Sequence, residues 1–195
     1  MRLEPITRPT GLTMRIAYWM SKRQLGKVMT PLSVVYSRVP SSMKMGYGIS
    51  KFTQSGMSLD PELALILQTH TAQINDCAFC VDIARAIALR GRLGVDRISA
   101  LPTYETSNLF TEQEKAALAY VEEATRSKRV SDETFNRLKR HFSDVEIAEI
   151  TILNAIENYY NLINIPLEID SDGLCALVPP EYIQGPSHTH AGQTR

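Results

Sequence analysis

The sequence predicts a single all-α domain of about seven or eight helices. Three observations carry that reading. Helical periodicity runs along nearly the whole chain, with no internal repeat and no low-complexity tract. Two Ser/Thr-x-x-Glu capping boxes stand at Thr111–Glu114 and Ser143–Glu146. Asp60, Pro61 and Glu62 supply an N-cap, a first-turn proline and a first-turn acid in succession. The chain has 195 residues, 44% apolar and 22% charged, an ordinary globular composition at a length that buries a core without metal or disulfide staples.

Taken in order, the first helical stretches fall within residues 22–37 and 41–55, interrupted by Pro31 and the Val39-Pro40 step. Asp60 opens a helix through about Ile74, with Leu63, Leu67 and Ile74 on one stripe. Asn75-Asp76 breaks it, and a new helix begins at the cysteines and runs to Gly91. A short helix at Asp96–Ala100 precedes a looser stretch from Pro102 to Phe110. Thr111 starts a helix to about Ser127, Ser131 a shorter one to His141, and Ser143 one to about Ile163. The last is apolar around most of its circumference, which predicts burial on several sides. Periodicity is lost after Pro166, and Gly185–Arg195 is expected to be disordered. The organisation is therefore a basic arm over 1–23, a helical domain over 24–170 and a partly disordered tail over 171–195.

The charges balance, but they are unevenly placed. Residues 1–56 carry nine Lys/Arg against the single acid Glu4, and the remainder carries twelve bases against twenty acids. All seven methionines lie in the first 57 residues. A basic, Met-rich segment and an acidic body are complementary within one chain or between copies. The zero net charge argues against a nucleic-acid partner. No apolar run approaches the roughly 18 residues that a membrane span needs. Ile16–Met20, closed by Lys22-Arg23, is too short for a signal sequence, so a cytoplasmic protein is expected.

Three cysteines, Cys77, Cys80 and Cys175, are an odd set for a secreted disulfide framework. Cys77 and Cys80 are spaced to face one side of a helical first turn. There the unpaired N–H groups favour a thiolate and the two sulfurs can approach bonding distance. Such a pair supports disulfide exchange or peroxide reduction, and helix position alone allows either thiol to be the more acidic. A zinc site would need partners from Cys175, His188 and His190, poor geometry for a tail; neither metal nor cofactor is expected.

The segment QINDCAFCVDIARA at 73–86 resembles the core of the AhpD-like alkylhydroperoxidase and carboxymuconolactone decarboxylase family. The resemblance continues through FTEQEKAAL at 110–118, VSDETF at 130–135, FSDVEIAEI at 142–150 and NYYNL at 158–162. Upstream, YSRVP at 36–40 and LDPEL at 59–63 match the usual lead-in, so about residues 24–170 are covered. The resemblance implies a helical fold that forms homo-oligomers, with Cys80 attacking a hydroperoxide and Cys77 resolving it to a disulfide. It also implies an external thiol reductant.

The departures are specific. Peroxidase members carry a Glu twelve residues before the first cysteine and a His four after the second; here these positions are Leu65 and Ala84. Carboxymuconolactone decarboxylases proper generally lack the cysteine pair, so that activity is not transferred. His70 is the nearest histidine by sequence and a tentative base, although it lies about 140° around the helix from position 65. A thiol–disulfide reductase without peroxidase activity is the nearest alternative, and a non-catalytic redox-sensing or structural oligomer is a second. Asp82 is expected to stabilise the start of its helix. Asn154, Asn158, Asn161 and Asn164, with Glu157 alongside, form a polar edge that lines a cleft, lines an interface or faces solvent. Tyr159 and Tyr160 are expected to be packing aromatics.

Overall fold

The computed structural model describes residues 1–91 and 95–178, so the stretch expected to be disordered lies outside the described residues, as do His188 and His190. Among the described residues the fold is all-α. The helices are α1 Leu12–Leu25, α2 Met43–Ser55, α3 Pro61–Ile74, α4 Ala78–Arg90, α5 Val95–Ala100, α6 Glu112–Ser127, α7 Asp132–Lys139 and α8 Asp144–Asn164.

Helix starts follow their caps. The Asp60 side chain accepts from the N–H groups of Glu62 and Leu63 at the head of α3. Thr111 and Ser143 form complete capping boxes with Glu114 and Glu146, and Ser131 caps α7. α3 lies at the centre, packed against α8, α6 and α4. Leu67, Leu118, Val121, Ile150 and Leu153 fill the core between these helices. α8 buries one face, with Ile147, Ile150, Leu153, Glu157 and Asn161 inward, and leaves Val145, Ile152 and Leu162 exposed, so the burial on several sides expected from its composition is not what the structure shows.

The N-terminal region departs from the sequence reading. α1 occupies Leu12–Leu25, across the boundary expected after residue 23, and Gly26 ends it at a φ of 83° that glycine adopts without strain. The stretch expected to be helical to residue 37 holds instead a π-helical turn, Leu32–Tyr36. A short 3₁₀ turn, Pro40–Ser42, leads into α2. Residues 171–178 pack onto α4, with Leu174 and Val178 buried against Ala86. No helix among the described residues is long and apolar enough to cross a membrane.

Candidate functional site

Asn75 and Asp76 separate α3 from α4, and Asp76 takes a left-handed φ of 56°, a conformation that Asp tolerates. The chain turns there so that Cys77 becomes the N-cap of α4 and Cys80 falls in its first turn. Cys77 and Cys80 are joined in a disulfide with their Cα atoms 5.3 Å apart, and Cys175 is free. Both sulfurs are buried, at 1% and 6% residue exposure. Val34, Phe79 and Ile169 pack around them, with Met29, Val35 and Leu167 at the margin. The cover over the pair is therefore apolar, contributed by the π-helical turn and by the segment just after α8.

The polar contacts of the pair come from α8. Asn161 Nδ2 donates to Cys80 Sγ at 3.1 Å, and Asn164 Nδ2 lies 3.5 Å from the same sulfur. Asn161 Nδ2 also donates to Glu157 Oε1 at 2.7 Å, while Asn161 Oδ1 accepts from Asn75 Nδ2 at 2.8 Å. Asn75 Nδ2 donates in addition to Asn158 Oδ1, and Asn154 Oδ1 accepts from Thr71 and Thr125. The asparagine edge is thus not a solvated face. Asn161 is 1% exposed, and the network ties α8 to α3 and α4 directly beneath the sulfurs. Burial pushes the Glu157 carboxyl up to about 7, against the opposing hydrogen bond from Asn161.

The absent relay positions are apolar in space as well as in sequence. Leu65 and Ala84 are both buried in the main core cluster. His70 is not brought to the sulfurs. Its Nε2 lies 3.4 Å from Glu122 Oε2 on α6 and its ring stands edge-on to Tyr104. Burial lowers its pKa, with Glu122 opposing. The seven-residue spacing to Cys77 crosses the Asn75-Asp76 turn, so helical periodicity does not carry His70 to the cysteines. The tentative base His70 thus has Glu122, not a cysteine, as its hydrogen-bond partner among the described residues.

Asp82 also has a different role from the one expected. Instead of bracing the start of α4, it accepts from the backbone N–H groups of Leu174 and Cys175, at 2.9 and 3.2 Å. Burial pushes its pKa up, but those backbone donors prevail and hold it below the usual value. Tyr159 and Tyr160 pack edge-on to each other, 5.2 Å between centroids. Burial raises the pKa of Tyr36 and Tyr160 alike, with Tyr159 adding to both shifts. Glu157 is the residue whose role the sequence reading missed. Its signal was present: an acid among asparagines spaced four, three and three along an otherwise apolar helix.

Residues 46–123 match the model of the Carboxymuconolactone decarboxylase family. The chain is 28% identical over 182 residues to the uncharacterised protein YnjA of Escherichia coli K12, covering 91% of this chain and 97% of that one. Among solved structures it is similar to ATU0492 of Agrobacterium tumefaciens, a protein of unknown function named as a candidate AhpD antioxidant-defence protein. That likeness has a TM-score of 0.66 at 28% identity, over 71% of this chain and 96% of that one. The debrominase Bmp8, solved as a cysteine-to-alanine variant in complex with 2,3,4-tribromopyrrole, shares the fold. Its TM-score is 0.77 at 20% identity, over 93% of this chain and 97% of that one. The resemblance read from the cysteine motif is shown by these matches together.

Proposed function

We propose, from its resemblance to the AhpD-like and carboxymuconolactone decarboxylase family, that the chain is a thiol-dependent oxidoreductase that reduces organic hydroperoxides through Cys77 and Cys80. One observation carries this reading: two adjacent sulfurs at the head of α4, with side-chain amide donors on Cys80 alone among the described residues. A donor on sulfur stabilises the thiolate, and the helix N-terminus adds to it, so Cys80 is the attacking thiol and Cys77 the resolving one. The Cys80 thiolate attacks the outer oxygen of the peroxide, the O–O bond breaks, and the alkoxide leaves and takes up a proton. Cys80 is left as a sulfenic acid. The Cys77 thiol then attacks its sulfur, water departs, and the disulfide forms. An external thiol reductant returns two electrons to the pair.

The apolar cover of Val34, Val35 and Leu167 supports an organic hydroperoxide over hydrogen peroxide. We also propose a homo-oligomer, cytoplasmic in location, whose contacts involve the basic segment before residue 57. Leu12, Trp19, Met45 and Tyr47 are large exposed apolar side chains on α1 and α2, which supports that role. A thiol–disulfide reductase is the second reading. Apolar residues at 65 and 84 favour it, because disulfide exchange depends less on an acid–base relay. Steady-state consumption of cumene hydroperoxide with dithiothreitol decides between them, with a mixed disulfide and 2,3,4-tribromopyrrole as competing substrates. Turnover of the hydroperoxide, abolished in both Cys77→Ser and Cys80→Ser, is the expected result. Turnover of the mixed disulfide alone would establish the second reading instead.

A further inference from the structure

Peroxide reduction moves a proton twice at Cys80: off the thiol before attack, and onto the alkoxide as the O–O bond breaks. The usual positions for an acid and a base hold Leu65 and Ala84, and His70 is engaged with Glu122. α8 supplies what those positions lack. Asn161 is fixed in orientation because its Oδ1 accepts from Asn75, leaving its two N–H bonds for Glu157 Oε1 and Cys80 Sγ. A carboxyl oxygen and the sulfur therefore share one nitrogen, at 2.7 and 3.1 Å. Glu157 is 7% exposed, and Asn161 is its hydrogen-bond partner among the described residues.

A further observation marks this side of the sulfur. Asn164 Oδ1 is buried without a hydrogen-bond partner among the described residues, while the Nδ2 of the same amide reaches Cys80. An unpartnered acceptor beside a disulfide sulfur is suited to a hydrogen that appears only when that sulfur is reduced. The titratable groups around Glu157 are few. Cys80 faces it from α4 and Tyr160 lies on its own helix, with Tyr159 and, from the π-helical turn, Tyr36 beside Tyr160. The raised pKa of Tyr36 and Tyr160 keeps both phenols neutral at ordinary pH. From the C-cap of α3 the uncharged Asn75 joins the network through Asn161.

We propose that Glu157 exchanges a proton with Cys80 across Asn161, replacing the acid–base pair absent from positions 65 and 84. The inference rests on Cys80 being the attacking thiol, as proposed above. In the first step the thiol proton passes to the Glu157 carboxylate, giving thiolate and carboxylic acid. The thiolate then takes the outer oxygen of the hydroperoxide as a sulfenic acid. The carboxylic acid protonates the departing alkoxide, which leaves as an alcohol and regenerates the carboxylate. A carboxyl raised to about 7 is suited to both directions near neutrality. Asn161 is a positioning residue in this scheme.

The test compares the reduced full chain with its Glu157→Gln variant by two readouts. The first is the pH dependence of Cys80 alkylation by iodoacetamide, followed by peptide mapping; the second is single-turnover consumption of cumene hydroperoxide. In the native chain, alkylation rises in two steps, because an ionised Glu157 opposes the thiolate. Glutamine should reduce this to one step and quicken alkylation above neutrality. Peroxide consumption should fall about 10²-fold and lose its decline at high pH, since the acid is gone. A merely structural role for Glu157 would slow both reactions together. That result, or an unchanged alkylation profile in a folded variant, overturns the proposal. If the glutamine variant does not fold, Glu157→Asp carries the same comparison: peroxide consumption slows but its high-pH decline persists, and loss of that decline overturns the proposal. A native chain that consumes no cumene hydroperoxide, yet shows two-step alkylation that glutamine reduces to one, refutes the peroxidase reading and leaves the proton exchange standing.

Discussion

Two buried glutamates lie on α8 eight residues apart, about 80° around the helix, and their surroundings differ sharply. Glu149 accepts from the Ser58 N–H, the Ser58 hydroxyl and the Leu59 N–H, at 2.9 to 3.1 Å. Those bonds fasten the segment ahead of α3 to the second turn of α8. Glu157 meets Asn161 and is otherwise enclosed, with Tyr160 nearby and the sulfurs beyond. The same side chain on the same helix is thus a clamp where donors converge and a proton-holding group where they do not. What separates them is the number of fixed donors, more than the degree of burial.

The comparison is broken most severely by adding a third carboxylate where no donor has been identified. Leu65→Glu with Ala84→His restores the relay residues in sequence but inserts two polar groups into the main core. The double variant should lose more than about 3 kcal/mol of stability by chemical denaturation, because buried polar groups without partners cost that much or more. A stable double variant with faster peroxide turnover would show that the core at 65 and 84 accommodates a relay after all.

Glu157→Gln is next in size and opposite in sign. An unfolded glutamate ionises near 4.5 and the folded one near 7, so between those values the folded state binds the proton more tightly. Stability therefore falls as pH rises through that window, and the full cost of about 3 kcal/mol is present above neutrality. Glutamine carries no such cost. The oxidised variant should be the more stable protein above neutrality, with the advantage shrinking as the pH drops toward 4.5. Equal stabilities at high pH would mean that Glu157 is better solvated than its burial indicates.

Glu149→Ala should instead destabilise the protein by about 2 kcal/mol, since the buried Leu59 N–H is left without its acceptor. Asp82→Asn is the smallest expected effect, about 1 kcal/mol, felt as faster hydrogen exchange at Leu174 and Cys175. The depressed pKa of Asp82 means that its contribution is present above the unfolded carboxyl range and lost as pH falls through its folded value.

The sequence was most legible where a side chain makes a local decision. Asp60, Thr111, Ser131 and Ser143 each accept from the N–H groups just ahead of them, and α3, α6, α7 and α8 start where those residues stand. α1 escaped notice because Gly11 at its N-cap offers no side-chain acceptor and its first turn holds no acid. Leu12, Ile16 and Trp19 are exposed on it, so its apolar residues do not define one inward stripe. The cysteine pair was readable from spacing alone. The sharing of Asn161 between Glu157 and Cys80 was not, because it depends on how α8 is rotated against the head of α4. That rotation is set by core residues such as Ile150 and Leu153, and one-dimensional periodicity does not express it. His70 meets Glu122 on α6 for the complementary reason. A left-handed residue at position 76 breaks the helical phase that would have connected it to Cys77.

Whether Cys77 and Cys80 are a two-electron redox centre is decided by a stoichiometric quench. The fully reduced chain is mixed with less than one equivalent of cumene hydroperoxide, alkylated at once, and mapped by peptide mass. A redox pair yields one Cys77–Cys80 disulfide for each peroxide consumed, with Cys175 recovered as a free, alkylated thiol. Peroxide consumed without that disulfide, or a dominant crosslink through Cys175, would contradict it.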